Sequence, residues 1–375
     1  MRQVELPYAK SLANRAMVLR ALHGAPLPSP DPLWSDDMHA MRRVLEAKPD
    51  ASGIRRADAG PAGTAYRFGM AYWAAQPNGD VLLVASPRLR ERPIQPLVDA
   101  LRQLGAVLEP HPEGWRIQGR RLTGGCIAVD GRQSSQFASA LELIATACEQ
   151  PIALDLEAGL VSAPYLAMTQ AMARQHPVPW PPERDWSAAA VFLAGVGLSG
   201  RALRLPGLGL QSLQGDAAVA QWGAELGFAL TENSGSEGAE LWAEPVPARS
   251  GPWNVDFSNT PDLAMPLIVA AALHGRSGAA QGLATLNAKE SPRLDATAEL
   301  LRTLGCTVTA GPDALQWTAS PTLPEGPLVL DSLDDHRMAF CAALIGLRLP
   351  VDLRGAEAVS KSFPDFWAQF RALQD

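Results

Sequence analysis

Several features that mark common protein classes are scarce in this sequence. Of 375 residues only four are cysteine and six are histidine, and the formal net charge is −7. The cysteines show no C-x-x-C pair and the histidines no H-x-H or H-x-x-x-H pair, so neither a zinc site nor a disulfide framework is predicted. Proteins that bind phosphate backbones usually carry a positive excess, so the acidic balance argues against nucleic acid as the main partner.

Long uncharged apolar runs are missing as well. No stretch of about 18 residues free of charge and proline suggests a membrane span, and the first residues lack the pattern of a signal peptide. We therefore expect a cytoplasmic protein without a membrane partner. The chain length and an apolar content of 47% suffice for two hydrophobic cores, which predicts two domains.

Lysine is rare, whereas arginine is abundant. The chain has 28 arginines and four lysines, and Lys10, Lys289 and Lys361 each lie in a short motif that contains serine or glutamate. Arginine serves most surface and ion-pair roles, whereas the compact ammonium of lysine can approach a reacting oxygen as a point charge. The placement of these lysines suggests that they take part in chemistry.

A repeated pattern predicts the architecture. In each copy an amphipathic helix ends in Leu-Gly, a strand follows, and a turn leads to a strand that bears tryptophan. The Leu-Gly pairs are 122 and 78 residues apart, close to multiples of about 40, which predicts roughly six similar units. Short strands alternate with helices, so the fold is expected to be α/β (α+β) rather than a helical bundle. The legible copies span 97–119, 217–245 and 297–320.

Basic residues recur where predicted helices begin. A helix N-terminus offers unpaired N–H groups and the positive end of the helix dipole, so a nearby Lys or Arg completes an anion site. The segment Ser-Ser-Gln-Phe at 134–137 adds hydroxyl and amide groups. Six basic motifs exceed the needs of one phosphate and predict two polyanionic substrates bound together. The motifs lie at 9–15, 62–68, 90–93, 289–293, 335–338 and 360–364.

Acidic and imidazole groups lie among these cations. Glu290 follows Lys289 and precedes Arg293 by three residues, which is the arrangement expected of a carboxyl group held for proton transfer. Asp262 begins an apolar helix, where an ordinary first-turn acid is equally at home. His336 is interpreted either as a residue that orients substrate or as a structural histidine.

In combination the motifs resemble the EPSP synthase family of 3-phosphoshikimate 1-carboxyvinyltransferases. The resemblance implies two similar domains, each of three βαβαββ units in an inverse α/β barrel-like arrangement, with the substrate cleft between them. Residues 1–9 and 207–375 are expected to form one domain, and residues 10–206 the other. The resemblance runs from about Val4 to Trp367 and is carried by AKSLANRAMVLRAL, AGTAYRF, RERPIQPLVDALRQLGA, DGRQSSQF, LVSAPY, PDLAMPLIVAAAL, KESPRLDATAELLRTLG, DHRMAFCAAL and SKSFPDFW.

The same resemblance implies the reaction. The enolpyruvyl group of phosphoenolpyruvate is transferred to the 5-hydroxyl of shikimate 3-phosphate by addition and elimination, which releases phosphate on the way to aromatic amino acids. Asp262 would accept the hydroxyl proton, or orient the hydroxyl for Lys10, and Glu290 would protonate the methylene carbon. The enzyme is expected to be a monomer without metal or cofactor. It is expected to be inhibited by glyphosate, because Gly63 leaves room in the phosphoenolpyruvate site.

The resemblance also assigns binding positions for both substrates. For shikimate 3-phosphate they are Lys10, Ser11, Arg15, Ser134, Ser135, Gln136, Ser162, Tyr165, Asp262 and Lys289. For phosphoenolpyruvate they are Lys10, Gly63, Arg92, Gln136, Arg293, His336, Arg337 and Lys361.

The chain departs from the family in several places. It is shorter than most members, with compact loops near 26–32. Pro292 stands where aspartate is usual, and Thr285 and Pro61 stand where asparagine is common, which places fine substrate contacts in doubt. Proline suits the first turn of a helix, so we expect Arg293 to keep its position.

The sequence argues against three alternative functions. The related enzyme that acts on UDP-N-acetylglucosamine has a cysteine in the mobile loop near R-x-R-P, and the segment 86–93 holds none. A catalytically silent, anion-binding paralogue would be free to lose Lys10, Asp262, Glu290 and Lys361. An RNA-end-processing protein on a similar scaffold conflicts with the acidic balance and with the lack of an evident nucleophilic histidine motif.

Overall fold

The computed structural model gives the fold of two compact units. It describes residues 1–77, 79–132, 134–156, 159–175, 177–235, 238–320 and 322–374. The first unit comprises Met1–Ala9 and Glu183–Asp375, and the second comprises Lys10–Pro182.

The first unit begins with β1 (Arg2–Gln3), and the chain then builds the whole second unit before it returns. The second unit contains α1 (Lys10–Leu22), α2 (Asp36–Leu45), β2 (Arg55–Asp58), α3 (Gly63–Ala74), β3 (Asp80–Val84), α4 (Pro87–Arg90), α5 (Gln95–Gln103), β4 (Val107–His111), β5 (Gly114–Gln118), β6 (Gly125–Ala128), α6 (Ser135–Ile144), β7 (Ile152–Asp155) and α7 (Ala163–Ala173).

The first unit then continues to the end of the chain. It contains α8 (Trp186–Ser199), β8 (Leu203–Pro206), α9 (Gly223–Leu226), β9 (Phe228–Gly235), β10 (Gly238–Pro245), β11 (Trp253–Asp256), α10 (Ala264–Leu273), β12 (Gly278–Gln281), α11 (Arg293–Thr303), β13 (Thr307–Ala310), β14 (Ala314–Thr318), β15 (Leu328–Asp331), α12 (His336–Ile345), β16 (Val351–Arg354) and α13 (Phe366–Phe370). Short 3-10 turns occupy Ala145–Ala147, Gly215–Trp222, Pro261–Leu263, Leu286–Ala288, Ala356–Lys361 and Arg371–Leu373.

The predicted repeat is present, in complete and reduced forms. Within the described residues, three four-stranded sheets have the same strand order, β2-β3-β5-β4, β11-β12-β14-β13 and β1-β8-β10-β9. In each sheet the first two strands are parallel and the last two form an antiparallel hairpin. Two further units are reduced to the parallel pairs β6-β7 and β15-β16. Residues 10–45 contribute α1 and α2 without a strand.

The return to the first unit comes earlier in the chain than the sequence analysis expected. Residues 183–206 belong to the first unit, whereas the expected second domain extended to residue 206. The cause is strand pairing, because β8 lies between β1 and β10 in one sheet. The N–H of Ala9 donates to the carbonyl of Glu183 at 2.8 Å, and the N–H of Asp185 donates to that of Pro7 at 3.0 Å. The glycine-rich stretch that follows β8 is a loop within the first unit.

Buried helices form the centre of the first unit. The sequences of α8 and α10 contain no charged residue, and a helix that is apolar all round is expected to be buried. The helices α8, α10 and α12 contact one another, and strands such as β14 alternate between exposed and buried side chains. Helices inside and one-sided sheets agree with the expected mixed α/β fold. None of the described helices is long and apolar enough to cross a membrane.

Glycine within α8 allows a close backbone approach. A Cβ atom at Gly197 would lie 1.9 Å from the carbonyl oxygen of Leu226, whereas at Gly195 it would meet the end of the Leu373 side chain. Alanine normally stabilises a helix by about 1 kcal/mol relative to glycine. Where the added methyl group would overlap backbone atoms, overpacking lowers the free energy of unfolding by about 1–3 kcal/mol or more.

We therefore predict opposite outcomes for two alanine substitutions two residues apart. Gly197→Ala lowers the free energy of unfolding by about 2 kcal/mol or more, because neither backbone segment is free to move. Gly195→Ala stays within about 1 kcal/mol of the wild type, because the Leu373 side chain has other rotamers. Urea unfolding followed by circular dichroism measures both. Equal transition midpoints for the two variants would contradict the packing described here.

Candidate functional site

The candidate side chains of both units lie at or beside the beginnings of helices. In the second unit, α1 begins at Lys10 and α3 at Gly63, while Ser134 and Ser162 are the N-cap residues of α6 and α7. Exposed N–H groups at these positions favour bound anions. In the first unit the corresponding residues are Asp262 before α10, Lys289, Glu290 and Arg293 at the start of α11, His336 and Arg337 at the start of α12, and Lys361 at the end of a 3-10 turn.

The beginnings of α3 and α6 are linked by a polar cluster. The side chain of Gln136 accepts a hydrogen bond from Arg67 at 2.8 Å and donates one to Thr64 at 3.2 Å. A Cβ atom at Gly63 would lie 2.9 Å from Nη1 of Arg67 and 3.2 Å from Nη1 of Arg92. The buried Nε of Arg92 has no hydrogen-bond partner among the described residues. The structure thus brings together Gly63, Arg92 and Gln136, and Nε of Arg92 keeps a hydrogen that it can donate.

Arg15 is buried on α1 and holds three helices together. Its Nε donates to Thr169 at 2.6 Å, and Nη2 donates to Ser139 at 3.2 Å and to the carbonyl of Tyr165 at 3.1 Å. Nη1 donates to the carbonyl of Ser11 at 2.7 Å. Burial lowers the pKa of Arg15 to about 10, against a smaller opposing effect of Tyr165, so the group stays cationic at neutral pH. All four of these acceptors are uncharged, so none of them offsets the buried charge.

Lys10 is held by a carboxylate on the neighbouring helix. Its Nζ lies 2.9 Å from Oδ2 of Asp37 in the first turn of α2, and the aspartate side chain is only 8% exposed. The other carboxylate oxygen, Oδ1, is buried without a hydrogen-bond partner among the described residues. This pairing fixes the direction of the lysine side chain.

Two serines at helix starts differ in backbone conformation. Ser134 caps α6, and its hydroxyl accepts from the N–H of Gln136 at 3.3 Å. Ser135 is buried in the first turn of the same helix. Ser162 has φ +52° and ψ +49°, a left-handed conformation that costs a non-glycine residue about 1–3 kcal/mol. Strain of this kind concentrates at binding sites, so the position of Ser162 supports a functional interpretation.

A buried guanidinium organises the candidate site of the first unit. Arg293 is 2% exposed and donates through Nε and Nη2 to both oxygens of Asp335, at 2.8 Å and 3.0 Å. It also donates to Asp262 at 2.9 Å and to Glu290 at 2.8 Å. Burial lowers the pKa of Arg293, but Glu290, Asp335 and Asp262 together raise it well above its usual range.

Asp262 is surrounded by cations. Besides Arg293, Nζ of Lys289 lies 3.6 Å from its Oδ1. Burial raises the pKa of Asp262, but Lys289, Arg337 and Arg293 outweigh this effect and hold the pKa well below its usual range. The carboxylate is therefore a weak base as long as these cations have no other anion to neutralise.

Glu290 lies between two cations that the sequence analysis assigned to phosphoenolpyruvate. Its Oε2 accepts from Arg293, and its Oε1 lies 3.1 Å from Nζ of Lys361. The glutamate side chain is 17% exposed and that of Lys361 is 16% exposed. A carboxyl group in this position can exchange a proton with a ligand that displaces the cations from its oxygens.

His336 and Arg337 begin α12 and are both buried. The ring of His336 packs edge-on against Phe340, with ring centroids 5.7 Å apart, and Nδ1 lies 3.8 Å from Asp335. Arg337 donates through Nη2 to the hydroxyl of Ser187. Its Nε is buried without a hydrogen-bond partner among the described residues. Arg337 therefore keeps a donor that an anion can use.

Sequence reasoning missed the carboxylates that fix these cations. Asp335, which lies in the D-H-R-M motif, and Asp37 were given no role, because their partners are distant in the sequence. Arg67 lies in a motif that was recognised, but its contact with Gln136 depends on packing between α3 and α6. The described residues contain no group of three or more His, Cys, Asp or Glu side chains that could hold a metal ion.

Comparisons with known proteins match the chain over nearly its whole length. The family model described as EPSP synthase (3-phosphoshikimate 1-carboxyvinyltransferase) matches residues 51–181 and 173–370. Proteins named 3-phosphoshikimate 1-carboxyvinyltransferase are similar at 31% identity in Vibrio cholerae (99% of this chain, 96% of the relative) and 33% in Nitrosomonas europaea (99% and 95%). These alignments extend over 422 and 425 positions, more than the 375 residues of the chain.

Solved structures show the same fold. EPSP synthase from Acinetobacter baumannii has a TM-score of 0.70 at 18% identity, covering 98% of this chain and 95% of that one. The enolpyruvyl transferase NikO from Streptomyces tendae has a TM-score of 0.68 at 14% identity, covering 100% and 94%.

The carboxylates around Arg293 predict a specific response to acid. The pKa of Asp335 is held below its usual range because Arg293 outweighs the effect of burial. Such a group contributes stability above its unfolded pKa of about 4, and this contribution is lost as the pH falls toward the folded value. We predict that Asp335→Asn lowers the free energy of unfolding at pH 7 by about 3–5 kcal/mol. We also predict that the free energy of unfolding of Asp335→Asn falls less between pH 5 and pH 2 than that of the wild type.

Urea unfolding at a series of pH values measures this effect. Glu299→Gln is the matched control, because its exposed partner Arg302 lies on the same helix as Arg293 and surface pairs contribute about 1 kcal/mol or less. If Asp335→Asn unfolds too readily to measure, Asp262→Asn tests the same effect at an outer member of the cluster. If the free energy of unfolding changes with pH in the same way in the wild type and in the aspartate variants, these carboxylates do not contribute the predicted pH-dependent stability.

Proposed function

The chain belongs to the EPSP synthase family, and on that premise we propose that it transfers the enolpyruvyl group of phosphoenolpyruvate to the 5-hydroxyl of shikimate 3-phosphate. The products are 5-enolpyruvylshikimate 3-phosphate and phosphate. The proposal is carried by one observation, the position of Glu290 between Arg293 and Lys361. We propose further, from the family resemblance alone, that the chain acts as a monomer in the cytoplasm.

The binding roles follow the positions assigned from the sequence. In the second unit, shikimate 3-phosphate contacts Lys10, Ser11, Arg15, Ser134, Ser135, Gln136, Ser162 and Tyr165, and phosphoenolpyruvate contacts Lys10, Gly63, Arg92 and Gln136. In the first unit, Asp262 and Lys289 bind shikimate 3-phosphate, and Arg293, His336, Arg337 and Lys361 bind phosphoenolpyruvate. Two observations support these roles. The described acceptors of Arg15 are uncharged, so an anion would supply the missing counter-charge, and the Nε atoms of Arg92 and Arg337 are donors with no described acceptor.

The chemistry proceeds in two steps. In the addition, the 5-hydroxyl gives its proton to Asp262 or Lys10 and its oxygen forms a bond to C2 of phosphoenolpyruvate, while C3 takes a proton from Glu290, which gives a tetrahedral ketal phosphate. In the elimination, C3 returns a proton to Glu290 and the electron pair of that C–H bond forms the C2–C3 double bond. The bond from C2 to the phosphate oxygen breaks, and phosphate leaves with its electron pair. Lysine and arginine side chains stabilise the charge that develops on the departing phosphate.

Asp262 has two conceivable roles, and its surroundings favour one of them in the free protein. A carboxylate whose pKa lies far below its usual range is a poor proton acceptor. Hydrogen bonding that orients the 5-hydroxyl toward Lys10 does not require basicity. When anionic substrates offset the charges of Lys289 and Arg337, the proton affinity of Asp262 rises, so both substrates have to be bound before the carboxylate can act as a base.

We predict that Glu290→Gln abolishes most turnover. Loss of the proton donor lowers kcat by about 10²–10⁴ with little change in the KM of either substrate, because glutamine keeps the size and hydrogen-bonding oxygen of the side chain. Phosphate release is measured with both substrates, with each alone, and with UDP-N-acetylglucosamine in place of shikimate 3-phosphate. Glu299→Gln, an exposed change on α11, serves as control. Wild-type protein that releases no phosphate in any mixture would overturn the proposed function.

We predict that glyphosate inhibits the reaction in competition with phosphoenolpyruvate, and that Gly63→Ala weakens this inhibition. The added methyl group would lie 3.2 Å from Nη1 of Arg92 and closer still to Arg67, so the site has to contract. A methyl group that narrows a tight pocket changes affinity by about tenfold or more. Inhibition curves for the wild type, Gly63→Ala and the remote control Gly311→Ala measure the effect. Full turnover of the wild type at saturating glyphosate would contradict the prediction.

A further inference from the structure

Asp216 is a buried carboxyl group to which neither the reaction nor the binding assignments give a role. It lies in the 3-10 turn Gly215–Trp222 of the first unit and is 5% exposed. Its carboxyl group forms a hydrogen bond with the hydroxyl of Ser187, the second residue of α8. A buried carboxyl group that forms no ion pair with any residue the structure describes calls for an explanation, because its desolvation is costly.

The same serine holds Arg337. Nη2 of Arg337 donates to the Ser187 hydroxyl, and Nη1 donates to the Ser187 carbonyl at 3.5 Å. A hydroxyl group has one hydrogen to donate and two lone pairs to accept with. Since an arginine is only a donor, Ser187 must accept from Arg337, and its own hydrogen is free to bond the carboxylate of Asp216. One serine therefore joins the acid to the guanidinium.

The surroundings of Asp216 show that it is retained at a cost in stability. Burial, followed by the negative charges of Asp262 and Asp185, raises the pKa of Asp216 to about 7, while Arg337 and Ser187 act in the opposite direction. A carboxyl group that binds its proton more tightly in the folded than in the unfolded protein destabilises the fold as the pH rises above about 4. Groups that cost stability are concentrated at functional sites.

We propose that Asp216 is a positioning residue that, through Ser187, holds the Arg337 guanidinium in the orientation it needs to bind phosphoenolpyruvate. This inference rests on the proposed function, which assigns Arg337 to that substrate. In its ionised form, which prevails above the pKa of about 7, the carboxyl group of Asp216 only accepts hydrogen bonds, so it fixes the Ser187 hydrogen on its own side and a lone pair toward Arg337. The buried Nε of Arg337, which has no hydrogen-bond partner among the described residues, is the donor that the substrate would use.

Steady-state kinetics of Ser187→Ala, Asp216→Ala and the double variant test the relay. Each single variant is expected to raise the KM of phosphoenolpyruvate by about tenfold, the typical effect of losing a hydrogen bond to a charged group. The KM of shikimate 3-phosphate and kcat should change by less than about threefold. Because both residues act through one hydroxyl, the double variant should be no worse than either single variant. Ser187→Thr, which keeps the hydroxyl group, should restore most of the affinity.

A stability measurement separates positioning from a structural role. Asp216→Asn is nearly isosteric and folds even if the alanine variant does not. At pH 8 it should unfold at the same urea concentration as the wild type or a higher one, while its KM for phosphoenolpyruvate rises. Asp256→Asn, which removes an exposed carboxylate bonded to Ser258, should leave the KM unchanged.

Three outcomes would overturn the inference. One is a double variant whose KM for phosphoenolpyruvate is about a hundredfold higher than that of the wild type, because the effects of independent residues on binding free energy add. Another is an equal rise in the KM of both substrates. The third is a lower unfolding midpoint of Asp216→Asn at pH 8 with an unchanged KM, which is the signature of a structural residue. Failure of the proposed function itself is recognised separately, because the wild type would then release no phosphate.

Discussion

A guanidinium group can be buried only where its N–H groups find acceptors and its charge is offset, and the first unit is arranged around one such group. Four of the five N–H groups of Arg293 are used by three carboxylates. These carboxylates come from the starts of three successive helices, with Asp262 before α10, Glu290 before α11 and Asp335 at the N-cap of α12. The side chains proposed to move protons are therefore oriented by a charge that has to remain buried.

The second unit also contains a buried guanidinium group, but its surroundings are different. Arg15 is also buried, but the hydrogen-bond acceptors that the structure describes around it are hydroxyl groups and carbonyl oxygens, which carry no counter-charge. A cation in that state is stabilised by an anionic ligand nearby, whereas Arg293 already has its counter-charges. The contrast explains why most residues proposed to bind shikimate 3-phosphate fall in the second unit, while the carboxylates proposed for catalysis fall in the first.

The sequence predicted the local features of this arrangement, such as helix starts, better than the pairing of distant side chains and strands. Helix starts carry strong local signals, so the positions of the basic motifs and the α/β class with its three complete repeats could be read directly. Partners of buried charges are distant in the chain, so the sequence pattern assigned no role to Asp37, Asp216 or Asp335. The end of the second unit was expected at residue 206. The pairing of β8 with β1, which moves it to residue 182, has no local signal.

The strandless segment α1–α2 positions residues proposed to bind substrate by helix packing and side-chain hydrogen bonds. Residues 10–45 keep Lys10, Arg15 and Asp37 but contribute no strand, and the alignments with relatives are longer than this chain. The helix α1 is buried along most of its length and contacts α2, α3, α6 and α7. Its position is therefore set by helix packing and by the hydrogen bonds of Arg15, and a sheet behind it would add little constraint. The helix starts of this unit and their charged side chains are therefore held in place without a strand of the unit's own.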